Sequence, residues 1–72
     1  MTESLPVGDR PINLTQVLKL AGWTGTGGTA KLLIAEGLVK VNGEIELRKR
    51  RQMQLGDVVE LVDGPSLILA QS

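Results

Sequence analysis

Two stretches of this chain carry residue types suited to chemistry, and in both the chemistry is phosphate binding. The first is the run Arg48, Lys49, Arg50 and Arg51, which holds half of the chain's eight basic residues. Each cation that neutralises a nucleic-acid phosphate releases counterions, and arginine adds bidentate geometry. The second is GWTGTGGTAKLL, from Gly22 to Leu33, where four glycines, three threonines and Lys31 lead into a helical pattern. Its composition is that of a nucleotide-phosphate loop, but its spacing is not. A P-loop needs glycine, four residues, then Gly-Lys-Ser/Thr, fed by a buried strand. Here Lys31 stands between Ala30 and Leu32, and the segment upstream is an amphipathic helix. What remains is a helix entrance. Its amides, with Thr26, Gly27, Gly28 and Lys31, are suited to hold one phosphate, and the small residues let a backbone approach closely.

Other chemistries lack their residues. The chain has no cysteine and no histidine, so zinc fingers, disulfides and His- or Cys-dependent catalysis are excluded. Glu44, Glu46 and Glu60 alternate with apolar residues and read as outward strand positions, with no nucleophile beside them. We expect no cofactor, no metal and no catalysis. Net charge is zero, but it is unevenly spread: Asp57, Glu60 and Asp63 occupy a C-terminal segment without bases, while the cations concentrate at 48–51. A local basic patch binds phosphates even on a neutral protein. The bland alternative for that run is a solvated edge. Against it stands the mutual repulsion of four cations without an interleaved acid, which a fold gains nothing from.

The elements that must position these residues follow from periodicity and caps. Asn13 with Gln16 three residues later forms a capping box, and Leu14, Val17, Leu18 and Ala21 make one apolar helical face that ends at Gly22. Trp23, just after it, is expected to cover the core. A second helix runs from near Thr26 to about Glu36, with Ala30, Leu33 and Ile34 inward and Gly37 as its stop. LVKVNGEIEL then reads as a hairpin on Asn42-Gly43. A two-residue loop sets Val41 opposite Glu44 and Lys40 opposite Ile45, which mixes the faces. A three-residue loop pairs Val39 with Ile45, and this cleaner register is the one expected. Lys40 and Asn42 are placed as rim contacts near the basic run. VVELV and SLILA are two further strands, separated by a turn at Asp63-Gly64-Pro65.

Residues 1–12 read as irregular, or at most a short strand, broken by Pro6, Gly8 and Pro11. The whole is an α+β fold: two packed helices on a small, mostly antiparallel sheet of about four short strands. Seventy-two residues make one domain, with a core at 13–61 and a terminal turn and strand at 62–72. The N-terminal segment lacks the pattern of a signal peptide and no apolar run is long enough for a membrane span, so a soluble, cytoplasmic protein is expected.

The order of helix, Gly22, turn, Ala30-Lys31, IAEGLVKVNGEIELRKRRQ and GDVVEL closely resembles the RNA-binding domain of ribosomal protein S4 (S-four), also called the alpha-L motif. The resemblance covers Asn13 to Leu61 and is strongest to small stand-alone bacterial members of the YbcJ type. It implies two helices on a small sheet, RNA lying in the groove between the second helix and the sheet, and no catalysis. Two departures accompany it. Asn13-Leu14-Thr15 stands where the family usually has Arg-Leu-Asp, and Thr26-Gly27-Gly28-Thr29-Ala30 stands where it usually has Ser-Arg-Arg-Glu-Ala. The load therefore shifts to Arg48, Lys49, Arg50 and Arg51, with Lys31, Lys40, Asn42, Thr26, Gly27 and Gly28 around them. The partner expected is structured RNA, such as ribosomal or transfer RNA, bound by a monomer without DNA or membrane. An adaptor that turns the same basic surface to an acidic protein is the alternative.

Overall fold

A computed structural model describes residues 2–71. Strand β1 (Thr2–Pro6) is followed by β2 (Ile12–Asn13), helices α1 (Leu14–Leu20) and α2 (Gly27–Ala35), then strands β3 (Val39–Val41), β4 (Glu44–Ile45), β5 (Gln52–Met53), β6 (Val58–Leu61) and β7 (Ser66–Ala70). Five strands form the main sheet in the order β1-β7-β6-β3-β4, and β2 with β5 makes a separate antiparallel ribbon. No helix among the described residues is long and apolar enough to cross a membrane.

Both helices begin and end as their cap residues dictate. The Asn13 side chain accepts from the Gln16 amide at 2.9 Å while the Asn13 amide donates to the Gln16 side chain at 2.8 Å, closing the capping box. At the C-terminus of α1, the Gly22 amide donates to the Lys19 carbonyl and the Trp23 amide to the Leu18 carbonyl. This is a Schellman motif, and it requires the left-handed φ of +76° that Gly22 adopts. Helix α2 is capped by Thr26, whose hydroxyl accepts from the Thr29 amide at 3.1 Å. It ends in a second Schellman motif at Gly37 and Leu38. The α1–α2 connection is thus two caps joined by a short turn.

The core lies between the helices and one face of the sheet. Leu14, Val17, Leu18, Ala30 and Ile34 from the helices meet Val39, Val41, Val59, Leu67 and Leu69 from the strands, with Met53 from the ribbon. Alternation along β7 is strict, Leu67 and Leu69 buried and Ser66, Ile68 and Ala70 half-buried. Trp23 and Leu33 pack against this cluster from its margin.

The sheet departs from expectation in two places. The N-terminal segment, read as irregular or at most a short strand, does form a short strand: β1 pairs in parallel with β7, Leu5 opposite Leu69, so the sheet has five strands rather than four. Pro6 is no obstacle there, because β1 is an edge strand and has an unpaired side. The hairpin also takes the register that sequence reasoning set aside. Lys40 pairs with Ile45 and Val41 with Glu44, across a two-residue turn. The cause is local: Asn42 and Gly43 both take positive φ, +53° and +87°, as a type I′ turn requires and as Asn-Gly most readily supplies. Turn chemistry decides the register, and β4 contributes no clean apolar face.

Candidate nucleic-acid interface

The consequence of that register appears one residue beyond β4. Continued by one step, it brings Glu46 opposite Val39, and the Glu46 amide donates to the Val39 carbonyl at 2.9 Å. Val39 faces the core, so Glu46 turns inward with it. Glu46 is not an outward strand position; only 7% of it is exposed. A carboxylate in that position needs charged partners, and the chain supplies them from the basic run. Arg48 clasps it with two bonds, Nε to Oε2 at 3.1 Å and Nη2 to Oε1 at 2.9 Å, and adds its backbone amide to Oε2 at 3.1 Å. Arg51 donates Nη1 to Oε1 at 2.8 Å. The Arg48 hydrogen bonds are the largest cause holding the Glu46 carboxyl down at about 2; partial burial opposes them, and the Arg48 amide, Arg51 and the Arg48 charge assist. Glu46 in turn raises the pKa of Arg48.

The cations at 48–51 therefore do have an acid against them, Glu46, and the run forms a turn: the Arg51 amide donates to the Arg48 carbonyl at 3.1 Å. Its backbone is fixed from the other side by the start of α1. The Leu14 amide donates to the Arg51 carbonyl at 3.0 Å, and the Thr15 amide and hydroxyl both donate to the Lys49 carbonyl, at 3.2 and 2.8 Å. Orphan amides of the first helical turn are satisfied by the basic turn. The four cations are consequently unequal. The Arg51 side chain is 29% exposed and that of Arg48 is 74% exposed. Lys49 and Arg50 are exposed and, among the described residues, carry no side-chain ion pair.

The other residues singled out in the sequence lie on α2 and on the β3–β4 hairpin. Lys40 is half-buried on β3, between Glu60 of β6 and Ile45 of β4. Asn42 is committed to the fold: its side chain donates to Asp57 Oδ1 at 3.1 Å and accepts from the Val58 amide at 2.9 Å. Thr26 is occupied as a cap, and Lys31 is exposed on α2. Of the glycines at 22, 25, 27 and 28, only Gly22 has a positive φ. A Cβ on Gly27 meets Lys19 Cδ at 3.7 Å and one on Gly28 meets Thr26 Oγ1 at 3.8 Å, both ordinary contacts. Neither the turn nor the packing demands glycine at 27 and 28.

Sequence reasoning missed Glu46, Thr15 and Arg10. The Asn42-Gly43 pair contained the signal for Glu46, since the two-residue turn it favours fixes the register that sets Glu46 opposite Val39. Arg10, with Lys19, lines an open groove shared with Val7, Ile12 and Leu20; nothing in the local sequence pattern marked it.

The S4 domain profile matches residues 5–69. A protein of Escherichia coli (strain K12) named "Putative RNA-binding protein YbcJ" is 46% identical over 65 residues, covering 89% of this chain and 93% of its own. "Probable ribosome maturation protein RlbA" of Bacillus subtilis (strain 168) is 39% identical over 61 residues, covering 85% of this chain and 86% of its own. Among solved structures, the chain is similar to the solution structure of YbcJ from E. coli, described as revealing an alfaL motif involved in RNA-binding. That match has a TM-score of 0.65 and 40% identity and covers 96% of this chain and 85% of the other. With the capped helix pair, the sheet and the match over nearly its full length, the chain belongs to the S4 domain family, in the alpha-L fold.

Proposed function

We propose that the chain is a non-catalytic RNA-binding protein that recognises structured RNA, ribosomal or transfer-RNA-like, mainly through its phosphate backbone. The observation that carries this reading is the turn at 48–51, whose backbone is tied to α1 and which leaves Lys49 and Arg50 exposed and unengaged among the described residues. Phosphate contacts fix register and orientation without reading sequence, and folded RNA is recognised largely by shape and 2′-hydroxyls. The names of the relatives, one RNA-binding and one for ribosome maturation, support the same class of partner.

In this reading Lys49 and Arg50 make the principal contacts and Arg48 adds its outer edge. Lys31, Lys40 and the helix entrance at Thr26, Gly27 and Gly28 form the rim. Arg51 braces the basic turn, and Asn42, committed to Asp57 and Val58, fixes the hairpin. Residues 1–72 act as a single unit, a monomer in the cytoplasm, with RNA rather than DNA or a membrane as its partner. The test is a mobility-shift titration of a synthetic RNA stem-loop at stepped salt concentrations. Binding is expected to weaken steeply with salt, by a log–log slope of roughly 0.7–0.9 per phosphate engaged. Absence of RNA affinity at low salt overturns the reading and transfers the basic turn to an acidic protein partner.

A further inference from the structure

We propose that Glu46 is the positioning residue of the basic turn: its carboxylate holds Arg48 and Arg51 so that Lys49 and Arg50 meet RNA phosphates from a fixed geometry. This inference rests on the RNA-binding reading above and adds to it the part that sets the geometry.

A carboxylate inside a phosphate-binding patch subtracts attraction for a polyanion, and a surface shaped by charge alone has no use for it. Yet Glu46 lies two residues before Arg48 and is the most enclosed carboxylate near the turn, its side chain 9% exposed. It is therefore withdrawn from RNA and turned toward its own arginines. Its two oxygens take four bonds from Arg48 and Arg51, at 2.8 to 3.1 Å. Those bonds close the turn at both ends, since Arg48 opens it and Arg51 ends it. From the other side, Thr15 and Leu14 hold the carbonyls of Lys49 and Arg51. Only the side chains of the two middle residues are left without partners in this clamp. Ordering a flexible cationic loop before RNA arrives removes that ordering cost from the binding step.

Arg48 has a divided role. Nε and Nη2 are spent on Glu46, while the side chain remains 74% exposed, so its remaining donors are accessible to a phosphate. Arg51, 29% exposed, is a structural brace.

Charge and position predict opposite signs for one substitution. Glu46→Gln keeps the shape and removes the acid. If Glu46 matters only through its charge, the variant binds an RNA stem-loop more tightly. If it positions the turn, the variant binds about tenfold more weakly, at a temperature where circular dichroism shows both proteins fully folded. A variant that melts earlier but binds as well as the native protein, or better, overturns the positioning role and leaves Glu46 a structural residue only. Should Glu46→Gln fail to fold, nitrogen-15 spectra of the native protein decide instead. The Arg48 and Arg51 Nε–H signals are expected to be distinct and slowly exchanging, and to persist when the stem-loop is added. Averaged, fast-exchanging signals in the free protein, or an Arg48 signal that leaves Glu46 for RNA, overturn it. Failure of the underlying reading looks different: the native protein itself then binds no RNA, whereas failure of the positioning role leaves native binding intact.

Discussion

At the scale of single residues, Glu46 organises more of the candidate interface than any cation does. Its carboxyl is held at about 2, against an ordinary value of 4.5, chiefly by Arg48. A carboxyl depressed in the folded state is protonated first in the unfolded chain. The stability it contributes is therefore present above about pH 4.5 and lost progressively as pH falls toward 2. Because Arg48 is largely exposed, the contribution is on the order of 1 kcal/mol after solvent screening. Chemical denaturation of native protein and Glu46→Gln at pH 7 and pH 2.5 checks this. The gap between the two is expected at neutral pH and should have mostly closed in acid; a gap that stays constant contradicts the ion-pair account. Strand alternation alone misplaced Glu46, because it allows two registers and the one with the cleaner apolar face puts it outside; the Asn42-Gly43 turn was the sequence signal that decides between them. Arg48, Lys49, Arg50 and Arg51 were legible as a patch, but their division of labour depends on that one buried carboxylate.

At the scale of elements, the helices were the most legible part of the chain. Asn13, Gln16, Gly22, Thr26 and Gly37 are local signals acting on local backbone, and the caps form where those residue types stand. The strands depend on distant partners. β1 pairs with the opposite end of the chain, and the β2–β5 ribbon has two residues a side, too short for any periodicity to register. Helix α2 carries a prediction of its own. Gly27 and Gly28 lie in its first turn without positive φ, and a Cβ at either finds only ordinary contact. Replacing both with alanine is expected to raise folding stability by about 0.5 kcal/mol or more. If RNA approaches the helix entrance closely, the same variant binds RNA several-fold more weakly while melting higher. A lower melting temperature contradicts the space seen there, and unchanged RNA affinity removes the entrance from the interface.

At the scale of the whole molecule, the fold brings together parts far apart in sequence. The first turn of α1 and the basic turn are more than thirty residues apart, and each satisfies the other's backbone: α1 supplies donors, the turn supplies carbonyls. The β2–β5 ribbon stands directly beside this junction, since Asn13 precedes α1 and Gln52 follows Arg51. Membership of the S4 domain family sets the architecture; in the proposed reading, with glycines rather than cations at 27 and 28, the phosphate contacts are assigned to this junction. The measurement that tests this most directly is the salt dependence of RNA stem-loop binding by native protein and by the double variant Lys49→Ala, Arg50→Ala. Neither side chain has a partner among the described residues, so the variant should fold and melt like the native protein. If the two residues carry the phosphate contacts, affinity falls and the log–log salt slope shrinks by roughly 1.4–1.8, two contacts' worth. A variant that binds with native affinity and native slope contradicts the account.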